Sequence, residues 1–86
     1  MKRADANQAE IVEALREVGV SVLILSQVGG GCPDLLIGWQ GKNHLIEVKA
    51  PNGDLSKRQK EFFDNWRGRT YIVRSVDEVL ELLNCV

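Results

Sequence analysis

The chain has 86 residues, 44% hydrophobic and 27% charged, with a formal net charge of -1. That length holds one small domain, residues 1–86, burying only about 60–65% of its unfolded surface, so a partner subunit would support its thin core. No apolar run approaches the ~18 residues of a membrane span, and the Met1-Lys2-Arg3 start leads into no signal-peptide core, which reads as an intracellular protein that leaves membranes alone. Cys32, Cys85 and His44 are too few for a four-ligand structural zinc site.

The charge is unevenly spread. Residues 55–74 hold six basic side chains against two acidic ones, while residues 75–86 hold three acids and no base. A near-neutral sum therefore hides a basic segment, and local fields follow the distribution.

In chain order, a helix is expected from about Asn7 to Val18, with Ile11, Leu15 and Val18 on one face, Asp5 as N-cap and Gly19 as stop. Val20–Leu25 reads as a first strand. Gly29-Gly30-Gly31 lies in a loop. Asp34–Trp39 and His44–Lys49 read as a hairpin with a type II′ turn centred on Gly41-Lys42. Ser56-x-x-Gln59 has capping-box spacing and opens a second helix carrying Phe62, Phe63 and Trp66. Arg69–Val73 is a fourth strand. Ser75-x-x-Glu78 opens a final helix. The fold class is α/β in the order α-β-β-β-α-β-α, with the third and fourth strands parallel through a right-handed crossover.

The hairpin carries the unusual polar residues. With its turn centred on Gly41-Lys42, Asp34 faces Lys49 and Leu36 faces Glu47. Asp34, Glu47 and Lys49 then share one face at one end of the hairpin. The two carboxylates can converge on one divalent cation, with a backbone carbonyl such as that of Val48 as a further oxygen. Such a centre suits phosphodiester hydrolysis, with Lys49 orienting water or stabilising charge on the transition state. A salt-bridged trio is the competing structural reading.

Gly31-Cys32-Pro33-Asp34-Leu35 followed by Leu45-Ile46-Glu47-Val48-Lys49 resembles the PD-(D/E)XK nuclease signature. With the Arg3–Gln8 opening, Leu55-Ser56-x-x-Gln59, Trp66 and Val73–Asp77, the chain looks most like the small stand-alone VRR-NUC form found in phages. The resemblance implies a restriction-endonuclease-like core, a mixed four-stranded sheet flanked by helices. It implies a Mg²⁺- or Mn²⁺-dependent endonuclease acting as a homodimer on branched or structured DNA such as Holliday junctions, in a bacterial or phage-infected cytoplasm. Carried over residue by residue, Asp34 and Glu47 are metal ligands, Val48 a carbonyl ligand and Lys49 the catalytic lysine. Relatives add a polar residue from the first helix, for which Gln8 and Asp5 are favoured over Glu10. Gln59 is a further accessory candidate, its amide divided between the site and the cap. Lys57, Arg58 and Lys60 are expected on phosphates, beside a glycine loop where Gly30 and Gly31 admit the DNA backbone. The alternative is a non-catalytic DNA-binding module on a nuclease fold.

Overall fold

The structure, a computed structural model, describes the backbone of residues 3–86 and the side chains of residues 6–86. Its elements are α1 (Arg3–Glu17), β1 (Ser21–Ile24), β2 (Leu35–Trp39), β3 (Lys42–Val48), α2 (Lys57–Asn65), β4 (Thr70–Val73) and α3 (Val76–Leu83). The order is the expected one. The strands form one sheet in the order β1-β2-β3-β4, antiparallel except for the parallel β3–β4 pair that α2 connects.

Helix α1 begins earlier than expected because Arg3-Ala4-Asp5-Ala6 contains nothing that breaks a helix. Asp5 therefore lies inside the helix and is not its N-cap, and its side chain falls outside the described residues. Ile11 and Leu15 are fully buried, but Val18 stands exposed. The helix ends as expected at Gly19, where Gly19 N–H donates to Arg16 O and Val20 N–H to Leu15 O, the Schellman pair.

One face of the sheet makes the core. Leu35, Ile37, Ile46, Val48 and Val73 pack with Ile11 and Leu15 of α1 and Val79 and Leu83 of α3. Trp39 Nε1 donates to Leu83 O at 3.3 Å and ties β2 to the end of α3. His44 is not a strand-start residue. It sits inside β3 opposite Ile37, 1% exposed, because its ring alternates to the core side.

The hairpin turn differs from expectation. Trp39 pairs with Lys42, so Gln40-Gly41 is the turn centre. Both have positive φ, 51° and 79°, which makes the turn type I′ rather than II′. The pairing moves by two positions, and Asp34 comes to stand opposite Glu47 instead of Lys49. A two-residue shift preserves side-chain facing, so Asp34, Glu47 and Lys49 still share the face opposite the core.

Helix α2 covers part of that second face. Ser56 Oγ accepts from Gln59 N–H and Gln59 Oε1 accepts from Ser56 N–H, completing the capping box. At α3 the box is altered. Ser75 Oγ accepts from Glu78 N–H, but Glu78 Oε1 takes the N–H of Arg74.

Candidate active site

Glu47 and Asp34 meet where β2 begins and β3 ends. Alternation along β3 turns Glu47 away from the core, and α2 closes over it, leaving it 2% exposed. Asp34 Oδ2 accepts from Val48 N–H at 3.0 Å, which holds the Asp34 carboxyl across the hairpin. The Asp34 carboxylate stands close enough to act on the charge of Glu47. Lys49 Nζ lies 3.6 Å from Glu47 Oε2 and is 19% exposed, so its ammonium joins the buried acid to the solvent side.

Gln59 completes this arrangement. Its Nε2 donates to Glu47 Oε2 at 3.3 Å while its Oε1 holds the cap of α2. The two duties expected to compete are met by opposite ends of one amide. Glu47 Oε1 remains buried with no hydrogen-bond partner.

Burial pushes the Glu47 carboxyl up to about 7, with the neighbouring Asp34 carboxylate adding to the rise and Lys49 opposing it. Burial, then Glu47, then Asp34 raise the Cys32 thiol, which argues against a nucleophilic cysteine.

These donors fit a hard cation. A buried carboxylate with one oxygen unpartnered, beside a second carboxylate, is costly until a positive charge meets it. No three His, Cys, Asp or Glu side chains cluster into a metal cage among the described residues. The fitting ion is therefore one that completes its shell with backbone carbonyls and waters, as Mg²⁺ does.

The first-helix candidates divide. Gln8 Nε2 donates to Ser26 Oγ at 3.3 Å, beyond the end of β1. Glu10 is exposed and lines a separate cavity with Asn7, Pro51 and Arg74. The residue that α1 does deliver is Asn7. Its Nδ2 donates at 3.0 Å to both Lys49 O and Arg74 O, tying the backbone of the lysine to the end of β4. Sequence reasoning passed over Asn7, although it continues the Ile11–Leu15 stripe one turn earlier, where a polar side chain calls for a partner.

Lys57, Arg58 and Lys60 are exposed on the first turn of α2. The glycine loop braces that turn. A Cβ on Gly31 would come within 2.8 Å of the Arg58 carbonyl carbon, whereas one on Gly30 would meet open space.

A mixed sheet flanked by helices, with two facing acids and a lysine at the end of its hairpin, makes this an α/β domain. The VRR-NUC domain model matches residues 1–77, and the chain belongs to the VRR-NUC family. It is also similar to a solved structure described as a VRR_NUC domain, with 26% identity and a TM-score of 0.80 over 98% of this chain and 97% of that chain. No curated protein matches. VRR-NUC domains are nucleases, a class that generally uses divalent metals and acts on DNA. No helix among the described residues is long and apolar enough to cross a membrane.

Proposed function

We propose that the protein is a Mg²⁺- or Mn²⁺-dependent endodeoxyribonuclease of the PD-(D/E)XK type that hydrolyses phosphodiester bonds in branched DNA, four-way junctions above all. The observation that carries this reading is the buried Glu47 carboxyl with its unpartnered oxygen, half-buried Asp34 beside it and Lys49 against it. Asp34, Glu47 and the Val48 carbonyl would hold the metal, which when bound polarises the phosphate and acidifies water. The chain's own residues do the rest. Lys49 orients the attacking water and offsets negative charge as the phosphate becomes five-coordinate. Gln59 holds Glu47 in place through its Oε2. Lys57, Arg58 and Lys60 fix the strand by its phosphates, with Gly30 leaving room beside them.

A homodimer supplies the two centres that a junction needs. The edge strand β1 and the loop after it support that reading, since Leu23, Ile24 and Val28 are 62%, 54% and 65% exposed.

The test is cleavage of an immobile four-way junction across a series of divalent metals, with Asp34→Ala and Lys49→Ala alongside. Metal-dependent paired nicks that both substitutions abolish, with binding retained, are expected. Junction binding without cleavage under every metal would favour the non-catalytic module instead.

A further inference from the structure

The Phe62 and Trp66 rings stack on α2 with centroids 5.1 Å apart and planes 14° from parallel. This stack contributes nothing to the core. No residue of α2 is buried, and Trp66 is 49% exposed. The indole is nevertheless held in place. Its edge lies against Gly68, where a Cβ would come within 2.8 Å of Nε1. An ordered indole with one face on a phenyl ring leaves its other face to a ligand.

The surroundings identify the ligand's chemistry. On one side a cavity of about 430 Å³ is bounded by Arg58, Glu61, Asn65 and Gly30. On the other, a cavity of about 610 Å³ runs beneath α2 to Leu36, Leu45 and Arg69. Arg58 is offset by the Glu61 carboxylate in the first cavity, while Arg69 is the only charged residue lining the second, so an aromatic wall with a guanidinium beside it suits a flat aromatic group attached to an anion. The same helix leads to the cleavage centre, since Gln59 touches Glu47 and Trp66 lies seven residues on. Seven residues span about 10 Å, on the order of three stacked base steps along one strand.

We infer that Trp66, backed by Phe62, is a stacking platform for an unpaired base of the DNA strand being cut. This assignment rests on the reading of the protein as a DNA-processing nuclease. It adds that the substrate must offer an unstacked nucleotide near the scissile phosphate. Stacking tolerates any base, so the platform recognises structure rather than sequence. Basic side chains around it anchor the adjoining phosphates.

The test is binding without metal, read by tryptophan fluorescence and anisotropy with a short oligothymidylate in EDTA. Trp66→Leu is expected to weaken binding about 5- to 100-fold, and Trp66→Phe to keep most of it. An abasic oligomer should bind the wild-type protein as weakly as oligothymidylate binds Trp66→Leu. Affinity for a blunt duplex should be the same in all three proteins. Equal binding of abasic and thymidylate oligomers by the wild-type protein would overturn the assignment, as would a Trp66→Leu variant equal to Trp66→Phe. The abasic comparison needs no variant to fold. Cleavage in Mg²⁺ is scored separately, so base-dependent binding without cleavage would remove the nuclease reading and leave the platform standing.

Discussion

Gln59 and Glu47 are joined by a 3.3 Å hydrogen bond from the same side chain that caps α2. The buried acid is thus oriented by the first turn of a surface helix, and moving that turn moves the acid's donor. Glutamate at position 59 would keep the cap, since Glu serves a capping box as well as Gln, but would set a third carboxylate against Glu47. Gln59→Glu is expected to match wild-type stability near pH 5 and to fall below it by about 1–3 kcal/mol at pH 8. Urea unfolding at the two pH values measures this. A loss equal at both would show that the cap alone had been damaged.

The raised Glu47 carboxyl makes the metal-free fold pH-sensitive. Its ordinary value is 4.5 and its folded value about 7. The folded state holds the proton more tightly, so the stabilisation is full below 4.5 and is lost as pH rises through about 7. The loss is up to about 3 kcal/mol. Glu47→Gln removes that slope, so the variant should be more stable than wild type at pH 8 in EDTA and inactive in Mg²⁺. Metal binding to the wild-type protein should release a proton below about pH 7. Calorimetry in buffers of different ionisation enthalpy detects it.

Gly30 and Gly31 separate two effects of one substitution. Both have positive φ, 67° and 81°, so alanine costs about 1 kcal/mol at either. Only at Gly31 does the added Cβ meet the α2 backbone at Arg58. Gly31→Ala is expected to lose roughly 2 kcal/mol more than Gly30→Ala, and to lose cleavage as α2 carries Gln59 away from Glu47. Thermal melts of the two variants, with cleavage rates beside them, test the difference.

His44 is buried with both ring nitrogens unpartnered, tilted against Tyr71 at 5.7 Å between centroids. Burial, with Arg69 and Lys42 nearby, lowers its proton affinity. Its folded state prefers the neutral ring, so stability is full above the ordinary value of 6.5 and declines as pH falls below it toward the lowered folded value. His44→Phe should be about as stable as wild type at pH 8 and more stable at pH 5. An acid-unfolding titration that leaves the two proteins indistinguishable would count against this.

Much of the fold was legible because apolar periodicity, Gly19 and the Ser56 and Ser75 caps agreed with one another. The hairpin register was not. Gly41 reads equally well as the first or the second turn residue, and only a positive φ at Gln40 decides between them. The site survived that error because the shift was even, which kept the acids and the lysine on one face. The contribution of α1 was only partly legible, for a different reason. Gln8 stands out as a polar residue on the apolar side of the helix, with Asp5 one turn earlier, whereas Asn7 acts through two carbonyls contributed by distant segments. Nothing in local spacing announces such partners.

Asn7 also bears on how Lys49 is positioned. Its two carbonyl partners lie 42 and 67 residues away, and Lys49 N–H is held by Val73 O of β4. Contacts of such separation close late in folding, and a parallel strand pair must await its crossover helix. The paired acids need only the β2–β3 hairpin, whereas the backbone of Lys49 is anchored when β4 joins β3. The site's lysine is thus positioned by the last strand of the sheet rather than by the hairpin that carries it.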